Sequence, residues 1–177
     1  LIILISVFYS TILLAKNKEF PAGKIVRLKG KVTVLRPHTM EAVRLKEGDF
    51  VYEDSSILAT KKSFVKIKLI DNSILTIGPS SKAVVVLSKQ KSGSIITLLK
   101  GTLRAKVQKN KKKQLYIKTK SAAMGVRGTE FMVIYNEQAK RTSLLTYSGN
   151  VAMKKISRNS LAVATKNIKI QNLKNYL

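Results

Sequence analysis

The sequence has no cysteine and no tryptophan, a single histidine, three prolines and only nine acidic residues. Without cysteine there is no disulfide, thiol nucleophile, iron–sulfur cluster or thiolate zinc site. That lack leaves the compartment open, because exported proteins also do without bridges. The one histidine, His38, follows Pro37 in a predicted turn and has no partners from which a triad or a metal centre could be built. No Gly-x-Ser-x-Gly elbow occurs. Gly78-Pro79-Ser80-Ser81-Lys82 lacks both the leading glycines and the following helix of a phosphate loop. Glu47, Asp49, Glu53 and Asp54 crowd one turn, but without the alternating spacing of a calcium loop, so they read as turn caps. The sequence offers no catalytic residue, no metal site and no cofactor site, and it reads as a non-enzyme.

What is present in excess is positive charge. Lys and Arg number 34, for a formal net charge of +25. From Asn72 to Thr129 there is no acid, against thirteen Lys or Arg, and after Glu137 there is again none. Such an excess must be solvated or met by anions, so polyanionic partners are expected. The densest run, Lys109-Asn110-Lys111-Lys112-Lys113, lies between two strand-like segments and reads as a loop tip. Lys109, Lys111, Lys112 and Lys113 thus form a candidate basic patch. Lysines there either discourage edge pairing of strands or contact phosphate, lipid headgroups or acidic glycans. Nucleic acid is the weaker partner class. The five Phe and six Tyr are scattered, and no helix is available for a groove.

The residues Leu1–Ala15 form an apolar run without a charge. As a helix the run would span roughly 22 Å, short of the ~30 Å hydrocarbon core, which suits a secretory signal better than a full membrane span. An uncleaved anchor is the other reading, and either one places the protein in the periplasm or the envelope. The expected division is residues 1–22 as signal or anchor, 23–154 as the folded domain and 155–177 as a basic tail.

From Gly23 onward the apolar period is two. Val32 and Val34 alternate with Lys31 and Thr33, Val65/Ile67/Leu69 with Lys66/Lys68, and Leu103/Ala105/Val107 with Arg104/Lys106. These are half-buried antiparallel strands with lysines on the wet face. Asp71-Asn72 reads as a hairpin turn, and Gly48-Asp49, Gly78-Pro79, Ser92-Gly93 and Ser148-Gly149 as further turns. With 177 residues and 45% hydrophobic content, one all-β domain is expected, a β-sandwich or a solenoid-like stack. A similar cassette recurs at Gly30, Gly101 and Gly149, but its spacing is too uneven for a true repeat.

The chain is organised around Lys118–Phe131, which reads K-T-K-S-A-A-M-G-V-R-G-T-E-F. Glycines three apart inside a β pattern, Gly125 and Gly128, require either a positive φ or an approach that a Cβ would block. They are expected to shape a strand crossing, with Phe131 in the core. Glu130 is the first acid after Asp71, so Arg127 is the cation expected to pair with it. Gly125, Val126, Arg127, Gly128, Thr129, Glu130 and Phe131 are the candidate motif, structural or partner-binding.

This stretch resembles the signature of FecR-type domains, T-P-x-A-x-x-G-V-R-G-T-E-F. Earlier segments resemble the family's in the same order. Gly23–Val32 resembles G-x-V-x-x-x-x-G-x-V, Leu45–Val51 resembles L-x-x-G-D-x-L, Leu69–Pro79 resembles L-x-D-G-S-x-L-x-L-G-P, and Leu99–Ala105 resembles L-x-x-G-x-L-R-A. Lys120 stands at the usual proline and Asn72 where glycine is commoner. The resemblance implies an exported sensing or binding module. In the family's namesake regulators the domain lies in the periplasm and relays the state of a receptor, through one membrane helix, to a cytoplasmic anti-sigma segment. After Lys155 only a basic tail follows, with one strand-like stretch at Asn167–Ile170, so a stand-alone module is the closer match. Its expected partner is an envelope protein or an anionic envelope polymer such as peptidoglycan or lipopolysaccharide. A tethered regulator and a structural subunit of an envelope assembly are the alternatives, and membrane association would run through Leu1–Ala15.

Overall fold

The computed structural model describes residues 21–87, 94–109 and 114–156. Leu1–Ala15, Ser92-Gly93, Lys111–Lys113 and Asn167–Ile170 lie outside the described residues. Among the described residues, fourteen strands form one continuous sheet. They are β1 (Pro21–Lys29), β2 (Val32–Leu35), β3 (Ala42–Arg44), β4 (Phe50–Tyr52), β5 (Ser55–Ala59), β6 (Phe64–Leu69) and β7 (Ile74–Ile77). There follow β8 (Ser81–Leu87), β9 (Ser94–Lys106), β10 (Leu115–Lys118), β11 (Ala122–Val126), β12 (Glu130–Asn136), β13 (Arg141–Ser148) and β14 (Val151–Lys155).

The sheet has two halves, and the 13-residue β9 belongs to both. Its first part, up to Lys100, pairs with β8 and β10, and from Gly101 on it pairs with β7 and β12. One half runs β4-β1-β6-β7-β9-β12-β13, and the other runs β3-β2-β5-β8-β9-β10-β11-β14. All pairings are antiparallel except β9 with β10. That exception departs from the all-antiparallel expectation. After crossing to the other half, the chain returns alongside the first part of β9 in the same direction.

The period-two alternation holds along the strands. In β6 the pattern is buried at Val65, Ile67 and Leu69, with Lys66 and Lys68 turned out. Leu103, Ala105 and Val107 are buried along and just beyond β9. Ile25, Ile67 and Leu103 from one half join Ile57, Ile96 and Ile117 from the other in a single core cluster. Phe131 and Tyr135 are among its largest fully buried side chains. Burying each such side chain stabilises the fold by roughly 1.5–3 kcal/mol.

The corners of the sheet follow a rule. Among the described residues, five of the six buried serines and threonines come immediately after a residue with positive φ: Asp54-Ser55, Lys62-Ser63, Asn72-Ser73, Ser80-Ser81 and Gly128-Thr129. The left-handed residue turns the chain, and the small polar residue that follows points inward, where it can receive a backbone N–H. Ser63 Oγ accepts from Lys31 N at 2.9 Å, Ser81 Oγ from Thr102 N at 2.8 Å and Ser73 Oγ from Gln108 N at 3.1 Å. Gly30 and Gly101 pack directly on Ser63 and Ser81, and Gly149 packs on Thr129. The three glycine cassettes are therefore the matching halves of three corners, each at a crossing between the two halves of the sheet. Their uneven spacing in sequence reflects where the crossings fall.

Candidate functional site: a cationic face on the β1 half

Alternation that puts apolar residues inside puts cations outside, and the register brings them together across strands. Arg27 of β1 is opposite Lys66 of β6, which is opposite Thr76 of β7, which is opposite Arg104 of β9. The neighbouring row is Lys24, Lys68, Ile74 and Lys106, and it ends on Glu130 of β12. With strands about 4.8 Å apart, each row carries its cations over ~14 Å. A groove of about 610 Å³ lies over these rows, lined by Arg27, Lys66, Arg104 and Lys106 together with Phe64, Ile74 and Thr76. Among the described residues, Glu130 is the one acid that lines it.

Three contacts organise the cations. Arg104 donates from Nε (3.1 Å) and Nη2 (2.5 Å) to the same oxygen of Glu130, and its guanidinium lies 4.6 Å from the centre of the Tyr147 ring. Lys24 Nζ stands 5.7 Å from the ring centre of Phe50. The Arg104–Glu130 pair remains half in water, with side-chain exposures of 52% and 23%. Such a pair orients the arginine more than it stabilises the fold.

The sequence motif meets this face through Glu130 alone. Glu130 pairs with Arg104 and not with Arg127, the neighbouring cation expected from the sequence. It is the first residue of β12 and faces β9, whereas Arg127 lies in the turn before the strand, exposed, with no ion pair among the described residues. The two glycines divide the expected roles. Gly128 has a φ of +63°. Gly125 lies within β11, where Gln114 Nε2 would sit 2.9 Å from an added Cβ. Val126 and Phe131 are core residues, and Thr129 is buried with its carbonyl receiving Val107 N. Lys109, the first lysine of the basic run, is exposed and packs against Gly128 of the motif turn.

Other sequence candidates take structural places. Asp49 Oδ2 accepts from Lys46 N, and Glu47 Oε1 accepts from Leu28 N. Both are backbone caps. His38 is an exposed turn residue with a φ of 61°. Lys120, at the family's proline position, pairs with Glu137 at 2.6 Å. That hydrogen bond, helped by charge attraction, holds Glu137 below the usual carboxylate range and raises Lys120 above the usual lysine value. The cationic rows were not found as a set from the sequence. Each strand showed its lysines on the wet face, but the register linking residues 27, 66, 104 and 106 is long-range.

The fold and motif define an all-β domain with ordered glycine corners. The FecR protein family matches residues 55–152, more than half of the chain, and the chain belongs to that family. No curated protein sequence matches it significantly. Among solved structures, a proposed anti-sigma factor from Parabacteroides distasonis ATCC 8503, determined at 2.50 Å, is similar at a TM-score of 0.50 and 13% identity. The similarity covers 57% of this chain and 50% of that one. A 1.65 Å crystal structure under the same description, from the same organism, has a TM-score of 0.48 at 14% identity, with the same coverage. The similarity thus spans half the length of these proteins. At such identity the likeness of the first is one of fold.

Proposed function

We propose that this chain is a non-enzymatic, extracytoplasmic binding module of a FecR-type signalling system, and that it engages an anionic component of the envelope. The observation that carries the reading is the alignment of Arg27, Lys66, Arg104 and Lys106 over one groove that a single acid lines among the described residues. Four cations held in register by a stiff sheet attract anions without further ordering of the backbone. Membership of the FecR family supports the signalling context. The absence of cysteine makes a clean test available. With Lys46→Cys in an exposed turn, an impermeant maleimide added to intact cells with a permeabilised outer membrane should label the protein. Labelling that appears only after lysis would overturn the extracytoplasmic reading.

A second reading is a tethered regulator with an anti-sigma segment outside this sequence. The anti-sigma description of the Parabacteroides neighbour favours it. Mass spectrometry of the purified protein separates the two. Retention of the apolar run Leu1–Ala15 supports the tether, and its removal supports the free module.

A further inference from the structure

The outer face of the β1 half is divided, and the division has chemical content. Cations occupy β1, β6 and β9. On the neighbouring strands the row that holds Arg104 continues through Met132 of β12 to Leu145 of β13. Ile134 lies in the next row, opposite Thr102. Ile134 and Leu145 are 41% and 51% exposed. Apart from Glu130, and Arg141 at the far end of β13, this strip carries no charge on its outer face. Tyr147 marks the border, with its ring against Arg104.

We infer that this face binds a phosphate-bearing lipid, with the head group in the groove between Arg27, Lys66 and Lys106 and the first part of an acyl chain over Met132, Ile134 and Leu145. A uniform anionic polymer would call for cations across the whole face. Here the charges give way to apolar side chains within one sheet, which is the pattern of an amphiphile at an interface. Glu130 has a definite role in this arrangement. It holds Arg104 over Tyr147 and puts a negative charge at the edge of the groove, so it repels a head-group phosphate there and competes with it for the Arg104 guanidinium. The inference names the ligand class of the binding module proposed above and rests on that reading. Vesicle binding in vitro tests the ligand class separately from the labelling that tests the compartment.

The experiment is co-sedimentation of the full chain with vesicles of phosphatidylcholine, with and without phosphatidylglycerol, and with isolated peptidoglycan. All variants keep the same N-terminus, so any contribution of Leu1–Ala15 is common to them. Arg27→Gln/Lys66→Gln/Lys106→Gln should weaken binding to the anionic vesicles by roughly a hundredfold, about fivefold per cation. Lys31→Gln/Lys46→Gln/Lys61→Gln removes the same charge elsewhere and should weaken it by less than tenfold. Glu130→Gln should tighten binding several-fold, a change that misfolding does not produce. Leu145→Ser should weaken binding to vesicles and leave binding to inorganic polyphosphate unchanged, which separates lipid from free phosphate. Equal losses in the two triple variants, no gain from Glu130→Gln, or preferential retention on peptidoglycan would overturn the inference.

Discussion

At the scale of single residues, the corner hydroxyls divide into two kinds that no composition separates. Ser81 accepts Thr102 N, so Ser81→Ala leaves a backbone donor without its partner. That change should cost about 1–3 kcal/mol. Ser55 is equally buried, yet its hydroxyl has no partner among the described residues. Ser55→Ala should therefore be neutral or slightly stabilising. Urea unfolding of the two variants checks the contrast, and equal losses would refute it. The sequence was legible at this scale for Gly128 and Phe131 of the motif and for the separate turn at Asn72, because each role depends on immediate chain neighbours. The partner of Glu130 was not. Arg127 is three positions away in sequence, but the carboxylate follows the alternation of β12 and finds Arg104, 26 residues upstream.

At the scale of elements, β9 is the strand on which the fold depends. Gly101 sits where it passes from one half to the other, at a φ of +89°, with Ser81 Cα 2.6 Å from where a Cβ would be. Gly101→Ala combines backbone strain with a clash against main chain, and should destabilise by about 2–5 kcal/mol. Gly48 has nearly the same φ, +90°, but nothing within 4 Å of an added Cβ. Gly48→Ala should cost only about 1–2 kcal/mol. If the two midpoints shift alike, crowding at the β9 corner contributes little. The strands themselves were readable, since Val65/Ile67/Leu69 and Leu103/Ala105/Val107 show their faces in a few residues. The double membership of β9 was not, nor its parallel pairing with β10, because both depend on where a distant segment returns.

At the scale of the whole molecule, +25 charges on 177 residues repel one another, and folding draws them together. Added sodium chloride should raise the urea midpoint by screening that repulsion. The urea slope should stay constant, since the surface exposed on unfolding is unchanged. A midpoint that is flat or falls with salt would mean that attractive pairs such as Lys120–Glu137 outweigh the repulsion.

The sharing of β9 between the two halves also has a mechanical meaning. A strand bonded on both edges along both of its parts cannot be drawn out by breaking one ladder. Tension along it must shear β8, β10, β7 and β12 together. Arg104 stands on that strand. A load applied at the groove is thus shared by the strands of both halves through the one strand they have in common.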